Sequence, residues 1–429
     1  MSQGGVPAYI ASKSPGVRPL ASMPPVVSRS RPLKVPHSLR PRRPITSSIT
    51  SGYTASLVPT PQFALAAQVG RVPSMRVPLD ASQELRLRRL MDDLVLIDVH
   101  QHPMVLCDDA AELPAYFRTN AYAWGFDAVK AGGWTAVATA NLLSCLGKEP
   151  DASFSRFGDL VDEIGMMLAD VHKRGDSVMK IGRTQDILDA RQSGKVGFLP
   201  TVEHLSIDHE LHRVDVLYGI GIRLAGLTYT RKSWIGDGQF ERTNCGLSEF
   251  GVDVVKRMND IGMAIDLSHA GSRTALETIE LSQVPVVFSH NAAFAIRPTR
   301  RSRSDEELLA CAAKGGLCCV TAVPNSLSDD PCQDINCVLD HYDYFVKLVG
   351  IDHVGIGTDT QVGDHVGFHR VLLGRNAPDS LPAPYLDGLE SPADGCNIIR
   401  GLIVRGYDDV AIRKIAGQNA LDFFRRTIS

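Results

Sequence analysis

Two histidines one residue apart close an apolar run, Ile97-Asp98-Val99-His100-Gln101-His102. If that run is a strand, side chains at i and i+2 share a face, so both imidazoles can hold one ion. Four further apolar runs finish in residues of the same kind. They are Glu203 after Pro200-Thr201-Val202, His269 after Asp266-Leu267-Ser268, His290 after Val287-Phe288-Ser289, and Asp359 after Ile356-Gly357-Thr358. A lone histidine or acid in such a place is more often an ordinary hydrogen-bonded residue than a ligand. Six of them closing five runs form a pattern that coincidence explains poorly. Imidazole and carboxylate ligands without cysteine suit zinc or a similar divalent ion in a catalytic site. Glu203 has two oxygens and could bridge two such ions, and a water held between them would lose a proton near neutral pH. Asp359 could orient that water, accept its proton and pass it to the leaving group. Neighbouring groups would polarise a scissile carbonyl and stabilise its oxyanion. The chemistry is hydrolysis of an amide, ester, lactone or related bond, and these residues do not choose among them.

The elements that must position these groups alternate along the chain from residue 80 onward. Strand-like runs read Leu94–His102, Trp134–Asn141, Gly197–His204, Ile220–Tyr229, Gly262–His269, Val284–Asn291, Gly316–Val323 and His353–Thr360. Amphipathic stretches such as Phe157–Arg174, Phe250–Ile261, Asp305–Lys314 and Cys337–Leu348 lie between them. Alternating strands and helices make a parallel α/β fold, and eight strands in about 350 residues fit one (β/α)8 TIM barrel better than a doubly wound sheet. Each candidate ligand then falls at the C-terminal end of its strand, where barrel active sites lie. Two long connections, Leu106–Gly132 and His365–Ser391, are expected to lie over that end as loops. Other histidines lack this placement: His172, His209, His212, His353, His365 and His369 are expected on the surface or in loops. His204 and His341 could support the ligands from behind.

Residues 1–78 differ from the rest, being rich in Pro, Ser and Arg and free of acidic side chains. Such a segment buries too little apolar surface to offset its ordering entropy, and is expected to be a disordered extension or a targeting signal. Arg42-Arg43 followed by Phe63-Ala64-Leu65-Ala66-Ala67 favours a signal, while interruptions by Ser, Thr, Gly and Pro oppose it. The second unit, 79–429, carries the barrel. The chain is 44% hydrophobic and 22% charged with a net charge of −3, which gives no reason to expect nucleic acid as a partner. No run approaches the roughly 20 apolar residues of a membrane span. Nine cysteines, an odd number without paired zinc-type spacing, read as mostly reduced and buried, which favours the cytoplasm; export to the periplasm is the alternative if the extension is a signal.

The strings Gly262-Met263-Ala264-Ile265-Asp266-Leu267-Ser268-His269, Pro285-Val286-Val287-Phe288-Ser289-His290, His353-Val354-Gly355-Ile356-Gly357-Thr358-Asp359 and Ile415-Ala416-Gly417-Gln418-Asn419-Ala420-Leu421 stand in this order along the chain. Together they resemble the membrane (renal-type) dipeptidase family of the amidohydrolase superfamily, over about residues 94–426. The resemblance implies a two-zinc site in which His100 and the residue at 102 hold one ion, Glu203 bridges, and His269 with His290 holds the other. It also implies Asp359 as the acid/base, a homodimer, and Arg301 as the group that binds the substrate's carboxylate. Neighbouring Arg297 and Arg300 leave open which arginine points inward. Three positions depart from the family. His102 stands where the family has Asp, Tyr229 closes Leu227-Thr228-Tyr229 where the family has a substrate-contacting His, and Thr360-Gln361-Val362 stands where a second Asp and a Gly often follow. The departures lie at the substrate end, so a dipeptide or another small molecule with an amide, lactam, lactone or ester bond is expected as substrate.

Overall fold

A computed structural model describes residues 63–70, 75–119, 121–142, 156–373, 383 and 385–428. All eight expected strands are present in the expected order. They are β1 (Ile97–Val105), β2 (Ala136–Thr139), β4 (Val196–Val202), β5 (Leu224–Gly226), β6 (Ala264–Asp266), β7 (Val287–Asn291), β8 (Leu317–Val320) and β9 (Val354–Ile356). Two short strands add to them: β3 (Val178–Lys180) pairs with β4, and β10 (Gln361–Val362) pairs with β1. Every pairing between these strands is parallel, in the order β10-β1-β2-β4-β5-β6-β7-β8-β9. The chain leaving β9 runs straight into β10. On the way Asp359 N donates to His100 O at 2.8 Å and Thr360 O accepts from His102 N at 3.0 Å. The end of the sheet is thereby joined to its beginning, giving a curled parallel sheet of the (β/α)8 type.

Helices form where the amphipathic stretches predicted them, at Phe157–Lys173, Glu249–Ile261, Asp305–Ala313 and Ile335–Val349. Their ends explain the short turns back to strands. The helix Glu249–Ile261 starts at Ser248, whose hydroxyl accepts from Gly251 N, and stops at Gly262. Gly262 has φ +72°, a left-handed conformation that costs glycine little and turns the chain directly into β6. One face of the sheet packs Ile97, Val99, Ala136, Ala138, Leu199, Leu224, Ala264 and Val287 into a single cluster with Phe423 and Phe424 of the C-terminal helix. The other face, including Phe198, Ile265, Phe288 and Ile356, packs on helix residues such as Leu160, Ile164, Val254 and Met258. The period-2 alternation therefore decides which residues fill the ring and which meet the helices.

Two regions differ from expectation. The connection after β10 is not simply a loop: it opens with a helix, His365–Leu373, in which Asp364 Oδ1 accepts from Gly367 N at 2.8 Å. That Asp-initiated start is short and followed by Pro and Gly, which hid it from the periodicity. At the N-terminus, the compact unit containing the barrel runs Pro59–Ser429. Ala66 N donates to Leu106 O and Asp108 N to Ala64 O, pairing residues 64–66 with the chain just past β1. Asn397 and Arg400 bond the backbone of Met75 and Val77. Backbone pairing with the barrel orders these residues where their own composition would not. The Arg42-Arg43 pair lies outside the described residues.

Candidate metal centre

Six side chains that are remote in sequence meet at the C-terminal end of the sheet, each between 0 and 8% exposed: His100, His102, Glu203, His269, His290 and Asp359. His100 and His102 project together from β1, with ring centroids 5.3 Å apart and planes at 88°. Glu203, one residue past β4, spans the cluster. Its Oε1 lies 2.9 Å from His269 Nε2 and 3.9 Å from His290 Nε2, while Oε2 lies 3.9 Å from His102 Nε2. Asp359 follows β9 with φ +59°, in the left-handed region, where it points Oδ1 to within 3.0 Å of His102 Nε2 and 3.5 Å of His100 Nε2. Its other oxygen is 3.9 Å from His290 Nε2. The rings of His100 and His290 stack at 3.6 Å, and the Nε2 atoms of His269 and His290 are 3.1 Å apart.

This donor set fits divalent cations. Ligand atoms of His100, His102 and Asp359 lie within 4.8 Å of one another, as do those of Glu203, His269 and His290, and of His100, Asp266 and His290. Buried His100 Nε2 and His102 Nδ1 have no hydrogen-bond partner, unusual for ring nitrogens and ordinary for metal ligands. The electrostatics agree. Burial alone would raise the carboxyls, but the His269 hydrogen bond and the surrounding imidazoles hold Glu203 below the usual carboxylate range. His290, His100 and His102 do the same for Asp359. Burial, then Arg301, lowers His269 to about 4, and burial with His100 and Arg301 holds His290 well below its ordinary value. Burial would also lower His102, yet the Asp359 hydrogen bond and the Glu203 charge pull it up to about 9. A divalent ion there would displace the proton that His102 takes up, because ligation needs the neutral ring.

Residues that single-strand patterns did not reveal set these ligands. Asp98 accepts from His100 N, Gln101 Nε2, Thr358 N and Thr358 Oγ1, tying the ligand end of β1 to the turn that carries Asp359. Asp266 accepts from Ser268 N, Ser268 Oγ and Ser289 N. It also accepts from Ser289 Oγ, which lies 2.7 Å from His290 Nδ1, so His290 is steered to present Nε2 to the centre. Gln239 Nε2 sits 3.3 Å from His269 Nδ1. An acid two or three residues before a strand-end histidine was the available signal, in Asp98 and Asp266 alike. Gly226 makes the site possible in another way: a Cβ there would lie 1.9 Å from Glu203 O.

Of Arg297, Arg300 and Arg301 in the loop after β7, Arg301 enters the site. Its guanidinium donates to Ser268 O at 2.6 Å and to His290 O at 3.2 Å, and lies 3.3 Å from His269 Nε2. Arg300 reaches Phe240 O at an exposed position, and Arg297 pairs with Asp329. Tyr229 lies beside the cluster, its ring 4.3 Å from that of His269 and 5.7 Å from that of His204. His341 is buried away from it, between Ala293 N and Leu327 O. His172, His209 and His212 are exposed as expected. The expectation that His365 and His369 are surface or loop residues is corrected. Both belong to the helix after β10, His365 is buried, and their rings are 4.5 Å apart. Burial, then His369, lowers His365 to about 3, and it lies close enough to feel Asp359, His102 and Glu203. Sequence reasoning missed it because the helix that buries it was not seen.

Comparison with known proteins points the same way. The profile of the membrane dipeptidase family, peptidase family M19, matches residues 84–428. Among characterised proteins, dipeptidase tcpJ of Claviceps purpurea (strain 20.1) is 25% identical over 271 residues, which is 62% of this chain and 59% of that protein. Dipeptidase 3 of Mus musculus is 30% identical over 227 residues, 52% of this chain and 42% of that one. The matches thus span about half the length of these relatives. Among solved structures, an amidohydrolase from Pseudomonas aeruginosa superposes with a TM-score of 0.66 at 26% identity, covering 80% of this chain and 99% of the other.

Proposed function

The chain belongs to the membrane dipeptidase family, and from that membership we propose that it is a metal-dependent, dipeptidase-like hydrolase that cleaves a short peptide or amide bond beside a free carboxylate. The observation that carries the reading is the convergence of four imidazoles and two carboxylates, with buried ring nitrogens that have no hydrogen-bond partner in the protein. The ligands in this reading are His100, His102, Glu203, His269 and His290, and the metal is zinc, as two ions. When bound, such ions acidify the attacking water and polarise the scissile carbonyl.

The chain's own residues do the rest. Glu203 faces His102 with one oxygen and His269 with the other, the reach a bridging ligand needs. Asp359 is held ionised and aimed into the cluster, so it can accept a proton from water and deliver it to the leaving nitrogen. Arg301 sits at the His269–His290 edge and can grip a carboxylate with its planar fork, fixing the substrate relative to the centre. Tyr229, at the neighbouring position, can donate its phenolic proton to the oxyanion or to a substrate carbonyl. The alternative substrate is a non-peptide amide, lactam, lactone or ester, favoured by the unusual His102 and Tyr229. The cytoplasm is the proposed compartment, on the free and buried thiols of Cys311, Cys318 and Cys319. No helix among the described residues is long and apolar enough to cross a membrane.

The test is metal analysis combined with a hydrolysis screen of dipeptides, D-residue ones included, beside simple amides and lactones, with zinc or manganese added. Two bound ions per chain and dipeptide turnover support the reading. Turnover of amides or lactones alone moves it to the alternative, and a chain that binds no ion and turns nothing over refutes both.

A further inference from the structure

The side chain of Gln361 is 1% exposed, and neither its Oε1 nor its Nε2 has a hydrogen-bond partner. An amide so placed costs roughly 1–3 kcal/mol, and natural proteins rarely leave one without a reason. Gln361 stands in β10 directly opposite His102 of β1. On one side of it, Thr360 Oγ1 bonds Thr358 Oγ1; on the other, Val362 packs with Val105 and Ala128. Alternation along the strand turns Gln361 to the opposite face from both, toward the mouth where His102 lies. Arg301 borders the same cluster at its other edge, against His269 and His290. The mouth thus has a cationic edge and, opposite His102, an edge that carries an unsatisfied neutral amide.

The acids near that second edge are already engaged. Asp359 and Glu203 face imidazoles, Glu163 accepts from Leu142 N, and Asp364 caps its own helix at Gly367 N. A substrate ammonium arriving beside Gln361 would have to compete with those partners for a carboxylate, and a buried charge without a full partner is costly. A neutral group with one donor and one acceptor would satisfy both ends of the amide.

Resting on the hydrolase reading above, we propose that Gln361 is a specificity-determining residue. It receives an uncharged hydrogen-bonding group, so the substrate is an N-acylated or otherwise amine-blocked compound with its carboxylate at Arg301, rather than a dipeptide with a free ammonium.

The experiment compares a set of dipeptides with their N-formyl and N-acetyl counterparts, using the full chain loaded with zinc or manganese. Wild type is expected to favour the blocked series in kcat/KM by roughly tenfold or more. Gln361→Ala should raise KM for the blocked series by roughly tenfold with kcat little changed, and leave the free-amine series nearly alone. Gln361→Glu should shift the preference toward free amines. Thermal melting of each variant checks the fold, and the wild-type comparison stands even if a variant fails to fold. Wild-type preference for free amines, or equal losses on both series in Gln361→Ala, overturns this inference while leaving the hydrolase reading intact. Turnover of neither series by a metal-loaded chain overturns both.

Discussion

Asp359→Asn separates the chemistry of the site from its assembly. Asp359 has φ +59°, a region that asparagine tolerates nearly as well as aspartate, whereas alanine would add roughly 1–2 kcal/mol of backbone strain. The backbone bond from residue 359 N to His100 O is indifferent to the side chain, so the turn into β10 should persist. Asparagine keeps one oxygen of nearly the same size to face His102, which sits 3.0 Å from Asp359 Oδ1. What it loses is the negative charge and the capacity to take a proton. General acid/base catalysis contributes about 10²- to 10⁴-fold, so kcat should fall by that factor, equivalent to about 2.7–5.4 kcal/mol of barrier. Steady-state kinetics on whichever substrate the screen identifies, run beside metal analysis of the same preparation, gives both numbers. An unchanged kcat would remove Asp359 from the mechanism. A rate loss matched by loss of metal would make it a ligand instead of a proton carrier.

Arg301→Ala should raise KM for substrates with a free carboxylate by about 10- to 100-fold, as expected for loss of a charge-assisted pair, and spare esters of the same compounds; equal effects on both would place the carboxylate elsewhere. Gly226→Ala puts a methyl 1.9 Å from Glu203 O, so the end of β4 must move. Expected are a loss of at least about 1–3 kcal/mol in denaturant unfolding and a drop in bound metal, and full metal content would show that Glu203 can shift without consequence. His204 is buried and its pKa is lowered from 6.5 to about 4 by that burial. The folded chain then binds fewer protons than the unfolded one between those values, so stability is full above pH 6.5 and falls as pH drops toward 4, by up to about 3 kcal/mol. His204→Gln should flatten that part of the pH–stability curve, measured by urea unfolding, and an unaltered slope would assign the acid sensitivity to other groups.

The sequence by itself determined where chemistry could occur. Strand period places His100 and His102 on one face, and parallel strands put Glu203, His269, His290 and Asp359 at one end, because both rules are local or follow from the fold class. The eight strands were legible for the same reason, each being an apolar run bounded by a helix with a clear start or stop. Only the tertiary structure decided the rest. Which arginine enters depends on the carbonyls of Ser268, just past β6 and 33 residues away, and of His290 on β7. The support of the ligands runs through Asp98 to Thr358, 260 residues away. The burial of His365 needed a helix hidden in a Pro- and Gly-rich stretch, and the ordering of residues 64–66 needed the chain past β1 as partner. The left-handed turn at Asp359 and the exposed-to-nothing amide of Gln361 arise where β9 passes into β10 and closes on β1. Closure of a sheet is a long-range event, and no window of neighbouring residues contains it.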